Sequence, residues 1–230
     1  VFAVMTAYFA GNAFSTIPSL VVNFIVTERT NGTQRMQIIA GMGNIVYWVS
    51  NLLFDIIFFL VPFFGALIMF LALSTPGIAS SAEEFFATAI LLLMFGASII
   101  LWAYSLSFLF EKASTAQSFI VTFQTISTML LLAGNSLLVY FASDSVARIV
   151  RYISYLFPNY ILIDGFMKLV QNGVFCQNLK KIDIPCPSKY SNPFLMSNLG
   201  ENFLFQTIDI LLYGMIAYFF DRRIRQKKNT

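Results

Sequence analysis

The chain has 230 residues, of which 58% are hydrophobic and 11% are charged, and its formal net charge is +3. Because soluble domains carry about 25% charged residues, this composition excludes an ordinary soluble protein and indicates an integral membrane protein. The sequence contains no histidine, which excludes histidine-based catalysis and histidine-ligated metals in this chain, and we predict neither a catalytic residue nor a metal site.

Five apolar stretches predict membrane spans, at about residues 1–26, 45–73, 85–110, 116–141 and 200–220. In the first span we expect Pro18 to kink one continuous helix. The second span is longer than a hydrocarbon core of about 30 Å requires, so it must tilt, kink or project. The pattern predicts an all-α, polytopic transmembrane helical bundle that forms a single domain.

The polar segment 27–44, which we call the elbow, separates the first two spans. Its residues 33–40 (TQRMQIIA) predict a short amphipathic helix at the membrane surface, bounded by Gly32 and Gly41. The sequence at 31–33 matches a glycosylation sequon, but we place the elbow in the cytosol and interpret the match as a chance one.

Isolated carboxylates occur within or beside the apolar stretches. Asn51 and Asp55 are four residues apart and share a helix face in the second span. A carboxylate within a span is a candidate functional group, and both a structural hydrogen bond and a coupling role stay open for Asp55. Asp164 and Asp209 are the other candidates, and a buried partner and an interface contact both stay open for Asp209.

Residues 142–170 interrupt the regular spans. Asp144, Arg148 and Arg151 give the first part of this segment a charged helix face, and Phe157-Pro158 breaks the apolar run that follows. Neither half of that run is long enough to cross a membrane. We predict a re-entrant or interfacial helical hairpin on the extracellular side, with a full span at 152–170 as the rival topology.

The last part of the chain sets the expected sidedness. Cys176 and Cys186 lie in a polar loop at 171–199, where an exposed pair suggests a disulfide outside the cytosol; two unpaired thiols are the alternative. The tail at 221–230 carries five basic residues, which favours a cytosolic end rather than a nucleic-acid surface. The elbow is then cytosolic, whereas the rival topology would move it outside.

Two stretches resemble the second transmembrane half of A-subfamily ABC transporters, the lipid-exporter group. They are residues 18–62 (PSLVVNFIVTERTNGTQRMQIIAGMGNIVYWVSNLLFDIIFFLVP) and residues 155–170 (YLFPNYILIDGFMKLV). The first span of that half, its large extracellular domain and the nucleotide-binding domain have no counterpart here. The chain also contains no Walker A loop, so it cannot hydrolyse ATP alone. Because it opens inside an apolar segment without a methionine, we expect a piece of a longer polypeptide.

The resemblance implies a transporter that uses ATP and Mg²⁺ in a separate nucleotide-binding domain, with no cofactor in this chain. The implied partners are the lipid bilayer, that domain, a second transmembrane half and a lipid or amphipathic substrate, with no nucleic acid. The protein would be a multi-pass protein of the plasma membrane or an endomembrane. The resemblance assigns coupling to Glu28, Arg35, Gln37 and Gly41, the elbow–span junction to Tyr47, Trp48, Asn51 and Asp55, and the hairpin turn to Phe157 and Pro158.

Three other functions are alternatives to this one. A passive channel or carrier would favour repeated charged or carbonyl rings, and we find no internal repeat. An intramembrane enzyme would require a histidine or paired aspartates, whereas the aspartates here are scattered. A membrane scaffold without an ATPase partner is the remaining alternative.

Overall fold

The computed structural model describes residues 2–14, 16–141 and 143–229. Within these ranges the chain is helical and contains no strand. The helices are α1 (Phe2–Ala13), α2 (Thr16–Thr30), α3 (Thr33–Ile39), α4 (Asn44–Ala72), α5 (Ala82–Ser107), α6 (Ala113–Phe141), α7 (Asp144–Ser154), α8 (Pro158–Lys180), α9 (Ser188–Ser191) and α10 (Glu201–Asn229), with a π-helical turn (Met196–Gly200) before the last.

Four segments of the described chain are long and apolar enough to cross a membrane. They are α4, α5, the part of α6 at Ala113–Asn135, and the segment Met196–Arg223 that contains most of α10. The predicted all-α transmembrane bundle is thereby confirmed as a fold class.

Helix α5 lies at the centre of the bundle, against α2, α4, α8 and α10. Its start is capped, because the backbone N–H of Glu84 donates to the Ser81 hydroxyl at 3.2 Å. Farther along, a Cβ at Gly96 would lie 2.4 Å from the Phe59 ring of α4. The missing side chain lets the two helices approach closely, as small residues do in membrane bundles.

The first predicted span differs from the structure, where two helices replace one kinked helix. Helix α1 ends at Ala13 and α2 begins at Thr16, so the break precedes Pro18. Pro18 is the third residue of α2, a position where a backbone N–H has no partner within the helix, and proline therefore costs no hydrogen bond there. Val1, Ser15 and Ala142, which fall in predicted elements, lie outside the described residues.

Two later boundaries also differ. Helix α8 continues from the hairpin to Lys180, ten residues beyond the predicted end at 170, because Gly173 and Val174 pack against the bundle. The start of the predicted loop at 171–199 is therefore helical. Likewise α10 continues without a break to Asn229, since arginine, lysine and glutamine favour helix. The basic side chains of Arg225, Lys227 and Lys228 lie outside what the structure describes.

Candidate functional site

The elbow presents a short helix between two glycine turns. Gly32 (φ 78°) precedes α3 and Gly41 (φ 100°) follows it, and both take the left-handed conformation that glycine adopts without strain. No residue of α3 is buried. Met36 is 63% exposed and Ile39 is 85% exposed. Helix α3 therefore offers an uncovered apolar surface at the end of the bundle.

The chain before α3 is tied to the bundle by charged groups. The carboxylate of Glu28 accepts a hydrogen bond from the Tyr47 hydroxyl at 2.7 Å. The guanidinium of Arg29 donates to the carbonyl oxygen of Ser107 at 2.7 Å and to that of Phe110. Hydrogen bonds with a charged partner are stronger than neutral ones. The end of α2 is thus fixed to the start of α4 and the end of α5.

The chain after α3 is held by an aromatic cluster. The Trp48 ring lies 5.4 Å from the Tyr47 ring, 5.3 Å from Tyr104 and 5.9 Å from Phe108, as measured between ring centroids. The Tyr104 hydroxyl donates to the Asp55 carboxylate, which gives this buried aspartate a partner. Trp48 and Asp55 therefore share a contact with Tyr104 of α5, and Tyr47 joins them through the Trp48 ring.

Helix α10 completes this end of the molecule. The Asn44 side-chain amide donates to the carboxylate of Asp221, and the rings of Phe108 and Phe220 stack at 5.9 Å. We call the set formed by Glu28, Arg29, Asn44, Tyr47, Trp48, Asp55, Tyr104 and Asp221 the elbow network.

Three residues assigned to coupling from the sequence lie outside the elbow network. Arg35 is exposed and Gln37 is half-buried on α3, and Gly41 acts through its backbone. Asn51 lies one turn after Tyr47 in α4. Sequence reasoning missed Arg29, Tyr104 and Asp221. The contacts Arg29–Ser107 and Asn44–Asp221 join residues that are 78 and 177 positions apart. Tyr104 lies on α5, a helix that was not expected to meet the elbow.

The hairpin turn is built on Phe157 and Pro158. Phe157 is the N-cap of α8 and Pro158 is its first residue, where the fixed φ of proline suits a helix start. The Phe157 carbonyl accepts the backbone N–H of Tyr160 at 2.9 Å, and its ring lies 6.2 Å from Phe123. The turn thus joins α7 to α8 and packs on α6.

A second polar cluster, which we call the hairpin charge cluster, joins α7, α8 and α10. Asp164 lies 3.0 Å from Lys168 and 3.4 Å from Arg151. Glu201 of α10 lies 3.5 Å from Arg151 and 3.7 Å from Lys168. Burial raises the pKa of Asp164, but the charges of Lys168 and Arg151 outweigh this and hold that pKa below its ordinary value.

Neutral side chains complete the hydrogen bonding of this cluster. The Tyr155 hydroxyl donates to Asp164 at 2.8 Å and accepts from Arg151 Nε at 2.9 Å. Asn202 accepts from Lys168 Nζ at 2.7 Å and donates to Asp164 at 3.1 Å. Such satisfaction is what a buried ionic group requires. The spacing of Asp164 and Lys168 could have suggested their pair, whereas nothing in the sequence indicated the contacts of Glu201 and Asn202.

A cavity of about 650 Å³ opens beside the hairpin charge cluster, between α6, α7 and α8. Arg148, Arg151, Lys168 and Asp164 contribute charged groups to its wall, and Leu132, Ala147 and Met167 contribute apolar ones. Its volume lies within the range of about 300–1,000 Å³ that is usual for small-molecule sites.

Two further features of the sequence have a place in the structure. Cys176 at the end of α8 is joined to Cys186 by a disulfide, with a Cα–Cα distance of 5.2 Å. Asp209 is buried in α10, and its carboxylate oxygens have no hydrogen-bond partner among the described residues. The aspartate thus contributes to neither of the two clusters.

Helix α10 reaches both clusters. Glu201 belongs to the hairpin charge cluster and Asp221 belongs to the elbow network. Twenty helical residues separate them, which corresponds to about 30 Å and equals the thickness of a hydrocarbon core. The two clusters therefore mark opposite ends of the apolar bundle.

Comparisons with known proteins agree on one family. The family described as "ABC-2 family transporter protein" matches residues 1–219. The chain is 28% identical over 222 residues to ATP-binding cassette sub-family A member 2 of Rattus norvegicus, covering 94% of this chain and 9% of that protein. It is 25% identical over 217 residues to phospholipid-transporting ATPase ABCA7 of Homo sapiens (92% and 10%) and 26% identical over 204 residues to glucosylceramide transporter ABCA12 of Homo sapiens (83% and 8%). The chain spans about a tenth of these relatives or less.

Proposed function

Because this chain belongs to the ABC-2 family of membrane transporters, we propose that it is the transmembrane part of an ATP-driven transporter that moves a lipid or another amphipathic molecule. Two of the related proteins are named as transporters of phospholipid and of glucosylceramide. ATP and Mg²⁺ are assigned to a nucleotide-binding domain outside this chain, which lacks a Walker A loop. In the described residues, no three histidine, cysteine, aspartate or glutamate side chains converge on a metal position.

The proposal assigns docking of the nucleotide-binding domain to α3. The supporting observation is that Met36 and Ile39 are exposed while both flanks of the helix are fixed. A force applied to α3 reaches α4 and α5 through Glu28, Arg29 and Tyr47. Docking, capping and force transmission are the roles of this segment, and it performs no bond-breaking chemistry.

The elbow network also connects α3 to α10. Asn44, three residues after Gly41, begins α4 and donates a hydrogen bond to Asp221. Closure of two nucleotide-binding domains would therefore move the elbow end of α10 together with the start of α4. The angle between this bundle and a second transmembrane half would change, and the substrate would move along the bundle surface.

The test uses the full-length transporter in liposomes, with Ile39→Asp as the variant. A carboxylate on the docking face should weaken contact with the nucleotide-binding domain, because burying an unpaired charge is costly. We expect ATP-dependent lipid movement to fall by about tenfold or more. Ile182→Asp is the matched control, since Ile182 is 63% exposed in the segment after α8, and it should transport normally.

The outcomes separate the alternatives. Normal ATP-dependent transport by the Ile39→Asp variant would show that α3 is not the docking element. Lipid movement that continues undiminished without ATP would contradict the pump and favour a passive carrier.

A further inference from the structure

We propose that α10 separates from the hairpin formed by α7 and α8 during the transport cycle, and that water then enters between them and hydrates Gln206 and Asp209. The inference rests on the proposed function and deepens it, because it names a contact that opens in each cycle. It is carried by buried polar groups that lack partners and by the position of the cavity beside the hairpin.

One face of α10 carries a row of polar side chains. The row, which we call the polar row, has spacings of four, three and four residues and consists of Asn202, Gln206, Asp209 and Tyr213. At one end the Asn202 side-chain amide donates to the Ile161 carbonyl at 2.9 Å. At the other end the Tyr213 hydroxyl donates to the Leu156 carbonyl. Gln206 and Asp209 lie between these two contacts, on the side of α10 that faces the hairpin.

The middle of the polar row is buried without compensation. Gln206 is 0% exposed and Asp209 is 1% exposed. Neither the amide of Gln206 nor the carboxylate of Asp209 has a hydrogen-bond partner among the described residues, although the two are one turn apart. Burying such groups unpaired is unfavourable, whereas contact with water would satisfy them. The closed contact is therefore less stable than apolar packing at the same place would be.

The side of the hairpin that faces α6 has the same deficit. Asn159, in the first turn of α8, donates to Thr128 Oγ1 of α6 at 2.6 Å, but its own Oδ1 has no partner within the described part of the chain. Gln124 lies one turn before Thr128, and its Oε1 also lacks a partner there. These oxygens are acceptors, and lipid tails supply no donor. Water is the donor that can reach them when the hairpin and its neighbours separate.

The cavity beside the hairpin provides a route for this water. It lies between α6, α7 and α8 and is lined by Asn135 and by Tyr160, the residue after Asn159. Its volume of about 650 Å³ is many times the roughly 30 Å³ that a water molecule occupies in the liquid. The cavity thus connects the hairpin charge cluster with the start of α8.

Ion pairs at the outer end of α10 oppose the separation. Glu201 lies 3.5 Å from Arg151 and 3.7 Å from Lys168, and its side chain is 31% exposed. Pairs with this exposure contribute little. The polar row favours separation and these pairs favour contact, so a modest movement of α10 can shift the contact from closed to open. The elbow network, which includes Asp221 of α10, would transmit such a movement.

The experiment measures whether water reaches the polar row in the full-length transporter, reconstituted in liposomes. Gln206→Cys is treated with a small charged methanethiosulfonate reagent, which reacts with thiols that water reaches. We expect labelling above the level of the unmodified protein to be about tenfold faster during ATP hydrolysis than without ATP. Ile208→Cys, on the exposed side of the same helix, is the matched control and should stay unlabelled in both conditions, because that side faces lipid.

Two further variants test the missing hydrogen bonds without a label. Asp209→Leu and Gln206→Met replace the unpartnered groups by apolar side chains of similar shape, which should favour the closed contact. We expect amide hydrogen exchange at residues 158–163 to slow by about fivefold or more, and ATP-dependent lipid movement to fall by a similar factor. Thr207→Leu should change neither quantity, because its hydroxyl already donates to the Phe203 carbonyl on the exposed side of α10.

Each other outcome contradicts the inference. Equal labelling of Gln206→Cys with and without ATP would mean that the polar row is always wet, and no labelling in either condition would mean that it is always dry. Faster exchange in both Asp209→Leu and Gln206→Met would show that the replaced groups do have partners. If labelling is independent of ATP while the unmodified transporter moves lipid, this inference fails alone. If no lipid moves with ATP, the proposed function fails, whereas slower exchange in the two variants would still establish the uncompensated contact.

Discussion

Single side chains reach across helices at both ends of this bundle. The Tyr47 hydroxyl is the contact that joins Glu28, at the end of α2, to the first turn of α4. It closes a loop of 19 residues around the exposed α3. This hydroxyl therefore contributes directly to holding the two flanks of the elbow together.

We expect Tyr47→Phe to loosen the elbow while the ring packing against Trp48 stays in place. Losing a hydrogen bond to a carboxylate should lower the free energy of unfolding by about 1.5–3 kcal/mol. ATP hydrolysis by the full transporter should continue with less lipid movement per ATP. Thermal unfolding and paired transport and ATPase assays measure these effects. Tyr152→Phe, at an exposed tyrosine of α7, is the control and should change neither quantity.

Asp164 gives the hairpin a predictable pH dependence. Its pKa is held below the ordinary value by Lys168 and Arg151, which outweigh the effect of burial. The stabilisation it provides is complete above the unfolded pKa of about 3.9 and is lost as the pH falls below that value. Asp164→Asn should therefore lower the unfolding temperature at neutral pH, and the difference from the unmodified protein should shrink below about pH 4. A difference that stays constant with pH would contradict this account; Asp183→Asn, at an exposed position, is the control.

Residue roles were only partly accessible from the sequence. The resemblance assigned roles to Glu28, Tyr47 and Trp48, and the structure brings these three residues together. Their coupling role stays a prediction. The partners Ser107, Tyr104 and Asp221 were not accessible, because they are distant in the chain and their residue types are ordinary for helix ends. Pairing across helices depends on packing angles, which no local pattern encodes.

Among the elements, α8 depends on an unusually close approach to the turn between α4 and α5. A Cβ added at Gly173 would lie 2.1 Å from the backbone nitrogen of Gly77, and one added at Gly77 would lie 1.9 Å from the carbonyl oxygen of Leu169. Both neighbours are backbone atoms, which cannot move aside as a flexible side chain can. The close packing of α8 on the turn at 74–81 therefore depends on the absence of a side chain at both Gly77 and Gly173.

We expect Gly173→Ala to push α8 away from this turn and to lower the free energy of unfolding by about 1–3 kcal/mol, as overpacking does. Gly65→Ala is the matched control, because Gly65 lies inside α4 with open space around its Cβ position. There alanine should be neutral or stabilising by up to about 1 kcal/mol. Thermal unfolding of both variants in detergent measures the contrast, and equal stability of the two would show that the close contact is absent.

The long apolar helices could be predicted because each contains a run sufficient to cross a membrane. The observed α4 starts one residue before the predicted span and ends one residue before its end. The break after α1 was missed although Asn12, Ser15 and Thr16 surround it, because small and polar residues also occur inside continuous membrane helices, where they pack against other helices. The extension of α8 was missed because residues 171–180 have the composition of a loop. Only their packing on the bundle makes them helical.

For the molecule as a whole, the side of the membrane on which each loop lies stays a prediction. We predict that α3 faces the cytosol and that the segment around Lys189 faces outward. With a membrane-impermeant thiol reagent on intact cells, Lys189→Cys in the full-length transporter should be labelled above the level of the unmodified protein. Arg35→Cys should be labelled only after the membrane is permeabilised. Cys176 and Cys186 are joined to each other and should add no background.

Labelling of Arg35→Cys on intact cells would reverse this assignment. It would place the elbow outside and favour the topology in which 152–170 forms a full span. A nucleotide-binding domain could not then dock on α3.

The continuous α10 has the geometry of a lever with unequal arms. The Ser105 hydroxyl donates to the Tyr213 carbonyl at 2.9 Å, and this contact with the central helix provides a fulcrum. Glu201 lies about 18 Å from that point on one side and Asp221 about 12 Å on the other. A sideways step of about 1 Å at the elbow becomes about 1.5 Å at the hairpin, in the opposite direction. In the proposed transport cycle, α10 would thus convert a small push at one membrane face into a larger swing, in the opposite direction, at the other.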